Sequence, residues 1–257
     1  MANSNRKVAA EEALYLYGIS RAMKKSSGKI PAQASSPGID GVTAVRAVTC
    51  GDFLCWVSHV NHVNFAEAME RNMENLEWLA LHSVRHQQVV GEVAAQVPII
   101  PARFGTVFSG ETALLENVTG RSKALERVFD RVADADEWGV KVFAQKTARP
   151  AGKTAAQSGK EYLQQKAAQI QQRPDRSDPE LQELAAALKK VASDSAASGK
   201  VSGAQPSLLW QATFLVARSR QKQWEKVLGE FVERWDGVRR IEINGPWPPY
   251  SFVADAD

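Results

Sequence analysis

A chain of 257 residues, 44% hydrophobic and 24% charged, has the material for one or two cored domains and is not a disordered polyelectrolyte. Its 32 basic and 29 acidic residues leave a net charge of +3, too balanced to select a polyanion, so nucleic acid is not the expected partner. No apolar run reaches the ~18 residues of a membrane-spanning helix, and the polar N-terminus leads into no apolar signal core; no membrane partner and a cytoplasmic location are expected.

Residues 1–11 read as a polar tail. Glu12 to Ser20 predicts a first strand, with Leu14, Leu16 and Gly18 on one face and Tyr15, Tyr17 and Ile19 on the other. Ala22 to Pro37 is a Lys/Ser/Gly/Pro loop, expected to be mobile, and Pro37-Gly38-Ile39-Asp40-Gly41 is a turn. Val45 to Thr49 and Phe53 to Val60 predict an antiparallel hairpin closed at Gly51-Asp52. Cys50 and Cys55, the chain's two cysteines, flank that turn and read as reduced, half-buried thiols rather than a redox pair. A short helix near Asn64 to Arg71 precedes a long one over Met73 to Gln96, which Pro98 ends.

The stretch Val97 to Phe108 has the β-branched and aromatic character of a strand, interrupted by Pro98, Pro101 and Gly105. It is read as the last strand of a first domain and the hinge into a second. A helix over Glu111 to Ala133 follows, with an irregularity at Gly120, and then a strand over Glu137 to Ala144. Lys146 to Gly159 reads as a mobile linker. Tyr162 to Gln172 and the helix capped by Asp178 and opened by Pro179 predict a protruding helical hairpin. After a linker over Ser195 to Pro206 come a strand (Leu208 to Arg218), a helix (Arg220 to Trp235) and a closing strand (Val238 to Ile243). The tail from Asn244 to Val253 is too rich in proline and aromatics to stay free, and it is expected to pack back on the body. The expected fold is α+β, with two domains over 1–108 and 109–257, each an antiparallel sheet carrying helices.

The chemistry-bearing residues are few. His82 and His86 stand four apart on one helix face, and His59 and His62 lie nearby. Ser83 occupies the place where a zinc-protease motif carries glutamate. No phosphate-cradling glycine loop and no nucleophile elbow occurs, and the close pairs Glu74/Glu77 and Asp134/Asp136 read as solvated charges. Arg218, Arg220, Lys222, Arg239 and Arg240, interleaved with Trp224 and Trp235, offer a basic surface. No catalytic, cofactor or metal site is expected. Alternative readings are a metal-site enzyme around His82 and His86 and a nucleic-acid-binding regulator using the basic second half. Arg103, beside Phe104, either grips a partner's carboxylate or pairs with an acid such as Glu77 or Glu92. Trp247, Tyr250 and Phe252 form either a docking surface or a strap that seals a core.

Several blocks, in order, carry a resemblance. They are Leu14-Tyr15-Leu16-Tyr17-Gly18-Ile19, Pro37-Gly38-Ile39-Asp40-Gly41, Arg85-His86-Gln87-Gln88-Val89-Val90 and Pro101-Ala102-Arg103-Phe104-Gly105-Thr106-Val107-Phe108. Glu137-Trp138-Gly139-Val140-Lys141, Gly159-Lys160-Glu161-Tyr162-Leu163 and Gly245-Pro246-Trp247-Pro248-Pro249-Tyr250-Ser251-Phe252 follow. Over about residues 12–253 the chain resembles the gas vesicle protein F/L family. That resemblance implies a two-domain α+β protein whose second domain is ferredoxin-like. It implies no enzymatic activity and no cofactor. It also implies a part in gas vesicle formation through contact with the small hydrophobic shell protein and other accessory vesicle proteins, on the gas-facing side of the vesicle.

Overall fold

The structure, a computed structural model, describes residues 12–22, 33–61, 65, 68–69, 71–72, 74–145, 178–196 and 207–254. His62, most of the loop expected over 22–37, and most of the short helix expected over 64–71 lie outside these residues. So do nearly all of the linker over 146–159, the first arm of the helical hairpin and most of the linker over 195–206. The chain forms two compact units, Met1–Asp134 with Trp247–Asp257, and Ala135–Pro246.

The first unit is built around one strand. Its elements are β1 (Glu12–Arg21), β2 (Gln33–Pro37), β3 (Ala44–Cys50), β4 (Phe53–Asn61) and α1 (Leu76–Ala94). They continue with β5 (Ile99–Pro101), β6 (Val107–Phe108), α2 (Glu111–Gly120) and α3 (Ser122–Val132). The antiparallel sheet runs β2-β3-β4-β1-β5, with β6 also on β1. Every residue of β1 from Ala13 to Ser20 is buried, so both of its faces need a cover.

On one face Tyr15 and Tyr17 join Trp56 and the α1 residues Val89, Val90 and Val93 in a single core. Trp56 donates its Nε1–H to Ser20 Oγ at 2.9 Å, which satisfies two buried polar groups at once. The other face is covered by the helices after β6: α2 runs beside β3 and α3 beside β5. Leu114, Val118, Leu125, Val128, Phe129 and Val132 are their buried residues. The rings of Phe53 and Phe129 stack there at 5.9 Å. Arg21, at the end of β1, reaches the same side, where it pairs with Glu126 and Asp130 of α3.

This arrangement differs from the expected one at several points. The boundary expected after Phe108 moves to Asp134, because one helix covers only one face of β1 and the second cover comes from 111–132. Val97–Phe108 is therefore no hinge; its two short strands both pair with β1. The irregularity expected at Gly120 is a break at the adjacent Arg121, whose φ of −106° and ψ of 10° leave the helical region. The strict alternation expected along β1 also fails. The β1–β4 register shifts between Leu16 and Gly18. As a result Ile19 lines the same cavity as Leu16, away from Tyr17. Cys50 and Cys55 are free thiols, fully buried rather than half-buried. Burial raises the pKa of both, so neither is a reactive thiolate.

The second unit holds β7 (Ala135–Ala144), α4 (Pro179–Val191), β8 (Asp194–Ala196), β9 (Leu208–Ala217), α5 (Gln221–Arg234) and β10 (Arg239–Trp247). Its sheet order is β10-β7-β9-β8. The Asp178 side chain accepts the amides of Glu180 and Leu181, which caps α4 as its sequence predicts. Both helices pack on one face: Leu184 and Leu188 of α4 and Trp224, Leu228 and Phe231 of α5 enclose Val140, Val142, Phe214 and Val216. The tail does not belong to this unit as expected; from Trp247 onward it joins the first.

A Cβ at Gly18 would lie 2.6 Å from Ile99 Cδ1 and 2.8 Å from the Ile100 carbonyl. Gly18→Ala is expected to lower unfolding free energy by about 1–3 kcal/mol, since backbone on the neighbouring strand must move. Gly91→Ala, on a helix with nothing within 4 Å of the added carbon, is expected to leave it equal or raise it by up to ~1 kcal/mol. Urea titration of both variants checks the contrast.

Candidate functional site

Four parts of the first unit converge on the imidazole of His86. Tyr15 and Tyr17 come from β1, His86 from α1, Phe104 from the turn between β5 and β6, and Tyr250 from the tail. The β1 tyrosines are two apart, so their side chains share a face, and their hydroxyls lie inside the core. A buried hydroxyl needs a partner. Tyr15 Oη lies 2.9 Å from His86 Nδ1 and accepts the Gly105 amide at 3.1 Å. Tyr17 Oη lies 2.8 Å from Ser58 Oγ and accepts the Ile39 amide at 2.6 Å.

Each bond fixes a loop. The first holds the Arg103-Phe104-Gly105-Thr106 turn, where Gly105 has φ +86° and the Thr106 hydroxyl donates to the Arg103 carbonyl at 2.8 Å. The second holds the Pro37–Gly41 turn. There the Asp40 carboxylate accepts the Val42 and Thr43 amides, and Arg85 of α1 donates to the Ile39 carbonyl at 3.2 Å.

His86 is 2% exposed, and burial pushes its pKa down to about 4, with the Ala102 carbonyl opposing weakly. The ring is neutral at pH 7. Tyr15 Oη and His86 Nδ1 share one hydrogen, and Nε2 is buried with no hydrogen-bond partner among the described residues. Burial likewise raises both tyrosines, Tyr17 to about 12. The cluster therefore holds its protons through the physiological range and works as a packing node.

Around this node lies a half-buried aromatic surface. Trp78 stacks on His82 at 3.9 Å and meets Phe104 edge-on at 6.5 Å. Phe104 and Tyr250 lie 6.1 Å and 6.3 Å from the His86 ring. Arg103, next in the chain to Phe104, is exposed rather than enclosed among apolar residues. Glu92, one of the acids expected to pair with Arg103, accepts the Ser35 and Ser36 amides.

Of the five residues expected to bind a partner, Arg103, Phe104 and Tyr250 fall at or beside this surface. Phe252 is 5% exposed and its carbonyl accepts from Arg131. Trp247 is 49% exposed and shares no ring contact with the cluster.

The alternative chemistries find little support. His82 and His86 do share a helix, but one stacks on Trp78 and the other is enclosed. Among the described residues no group of three or more His, Cys, Asp or Glu is placed to hold a metal. In the second unit Arg218 pairs with Asp136 at 3.1 Å, and Arg239 with Asp178 and Glu180 at 2.9 and 2.8 Å. Those cations are engaged by carboxylates. The tyrosine–histidine node itself escapes sequence reading: tyrosines at 15 and 17 signal two hydroxyls needing buried partners, but not that His86 and Ser58 supply them.

The comparisons with known proteins agree with one another. The sequence profile of the family described as "Gas vesicle synthesis protein GvpL/GvpF" matches residues 13–254. The chain is 31% identical to "Gas vesicle protein L" of Streptomyces sp. (strain CB03234) over 265 aligned positions, covering 95% of this chain and 93% of that protein. Its fold is similar to the crystal structure of GvpF from Anabaena sp. PCC7120 (TM-score 0.65, 20% identity, 94% of this chain and 96% of that one). It is also similar to that of GvpF from Microcystis aeruginosa (TM-score 0.62, 18% identity, 94% and 98%). These two structures bear on fold alone.

The buried imidazole sets a pH dependence. A group whose folded pKa is depressed to about 4 from 6.5, and whose neutral form is the folded one, stabilises fully above pH 6.5. That contribution is lost as pH falls toward 4. Asp40 and Glu92 are also held below their usual values: burial works against this, and hydrogen bonds from Thr43 and Val42, and from Ser35 and Ser36, outweigh it. Their contributions begin to be lost near the ordinary carboxylate pKa and fall away as pH drops through the depressed folded value. Between pH 7.5 and 5 the unfolding free energy is expected to drop by about 2 kcal/mol through His86. His86→Phe is expected to be less stable at pH 7 and flatter across that window, measured by urea titration at each pH.

Proposed function

The chain belongs to the GvpL/GvpF family of gas vesicle synthesis proteins, and from that premise we propose that it is a non-catalytic assembly factor or minor structural component of the vesicle. In this reading it binds the small hydrophobic shell protein and other accessory vesicle proteins. It starts in the cytoplasm and acts on the gas-facing side of the vesicle. The observation that carries the reading is the half-buried surface of Trp78, Phe104 and Tyr250 beside the exposed Arg103.

An apolar partner needs aromatic area that is accessible before docking and rigid enough to lose little entropy on docking. The hydrogen bonds that join Tyr15 with His86 and with the Gly105 amide supply that rigidity from below. The surface contains no nucleophile–base pair of catalytic geometry among the described residues, which favours binding over chemistry. For the second unit we propose the ferredoxin-like class, supported by its order of strand, helix, strand, strand, helix, strand.

The test is capture of the shell protein by the tagged chain. Phe104→Ala and Tyr250→Ala are expected to reduce captured shell protein at least fivefold while urea titration still shows a folded protein. Trp247→Ala, outside the cluster, is expected to reduce it less. Wild-type capture by both cluster variants would overturn this choice of surface.

A further inference from the structure

The sheet of the second unit ends in two strands of unequal length. Its order, β10-β7-β9-β8, makes β8 and β10 the edges among the described residues. β8 is three residues long, which leaves little backbone to pair. β10 runs from Arg239 to Trp247, with no lysine and no proline before Pro246, the usual guards of an exposed edge.

The Gln145 amide donates to the Val238 carbonyl at 3.0 Å, so Val238 turns its carbonyl toward β7. A Cβ on Gly139 would lie 3.8 Å from Asn244 Cβ, which keeps Asn244 opposite β7 in the same antiparallel register. Backbone groups alternate between the two edges of a strand, so Arg239, Ile241 and Ile243 turn theirs to the open side. The Trp235 carbonyl takes the Arg239 amide at 3.0 Å. The Ile241 and Ile243 amides, with the Arg239, Ile241 and Ile243 carbonyls, make up the edge.

The side chains here are arranged symmetrically about Ile241. Arg240 and Glu242 stand on one face of the sheet, 54% and 40% exposed, and pair with each other. On the face that carries the helices, Ile241 packs against the core while Ile243 is 42% exposed. A second copy of β10, laid antiparallel about Ile241, fits each of these features. Each Ile241 amide reaches the other's carbonyl, and each Ile243 amide reaches the other copy's Arg239 carbonyl. Arg240 falls opposite Glu242 of the second copy, and Glu242 opposite its Arg240, so the two pairs merge into one alternating cluster. Moving the centre by one residue sets Arg240 against Arg240 or Glu242 against Glu242, which like-charge repulsion disfavours.

We propose that β10 is a self-association edge, through which two copies of the chain join their second-unit sheets antiparallel over Arg239–Ile243 with Ile241 on the symmetry axis. The exposed charges set the register more than the affinity. So short a paired stretch buries less than the about 1,200 Å² of a stable complex, and the dimer is a weak one. This goes beyond the aromatic surface: it lies in the other unit and takes a copy of the chain itself.

The test is sedimentation equilibrium of the full chain, loaded from about 10 µM to about 1 mM, where a small interface is populated. The wild type is expected to move from monomer toward dimer. Ile241→Pro removes an outward amide and none that β7 uses, and is expected to weaken association at least about tenfold. Arg240→Glu and Glu242→Arg are each expected to weaken it at least about fivefold. Mixing those two variants is expected to restore association to within about threefold of the wild type, because each chain then sets unlike charges against the other. Neither chain in the mixture regains its own Arg240–Glu242 pair, so the rescue arises only between chains. Urea titration shows which variants are folded; if Ile241→Pro is not, the charge variants decide.

A wild type that stays monomeric throughout, a folded Ile241→Pro that associates like the wild type, or a mixture no tighter than its separate variants would overturn the proposal. Undiminished association of both charge variants would put the contact elsewhere and overturn it as well. None of these outcomes depends on shell-protein capture by the aromatic surface, so the two readings fail separately.

Discussion

The Tyr15 hydroxyl bonds both to an imidazole on α1 and to an amide in the turn that follows β5. This pairing answers a constraint the rest of the first unit depends on: β1 is buried on both faces, and every polar group on it needs a partner inside the protein. Tyr17 answers the same constraint through Ser58 and Ile39, and Ser20 does so through Trp56. Each solution ties a distant segment to β1. The turns Pro37–Gly41 and Ala102–Thr106 are thereby anchored to β1.

The same constraint explains which elements belong together. α1 is amphipathic and covers the tyrosine face with Val89, Val90 and Val93. The face of Leu14 and Leu16 would meet water without α2 and α3. The tail obeys the same logic. Phe252 and Val253 are 5% and 8% exposed within the first unit. The chain thus returns to its first unit after completing its second, and a boundary drawn at one point in sequence cannot describe it.

The second unit is simpler because its sheet takes helices on one face. The helix stripes of α4 and α5 are legible at three- and four-residue spacing, and the alternation of β7 and β9 sends Val140, Val142, Phe214 and Val216 toward them. Local signals there agree with the tertiary result: Asp178 and Pro179 start α4 and Gly237, at φ +73°, follows α5. At the candidate site, by contrast, Phe104 and Tyr250 stand far apart in the chain, and only packing around His86 makes them one surface.

The sequence by itself determined the α+β class, the hairpin at Gly51-Asp52, the caps of α4, the break near Gly120 and the family, because each depends on residues close in the chain or on motifs held in order. It also marked Arg103 and Phe104, through one charge amid apolar neighbours. The tertiary structure alone decided that α2, α3 and the tail complete the first unit and that Ile19 changes face at a register shift. It also decided that His86 is an enclosed neutral ring and that Arg103 is exposed. The physical reason is that burial and pairing of polar groups are properties of what lies opposite in space. Periodicity reports which residues share a face and says nothing of which other element will cover it.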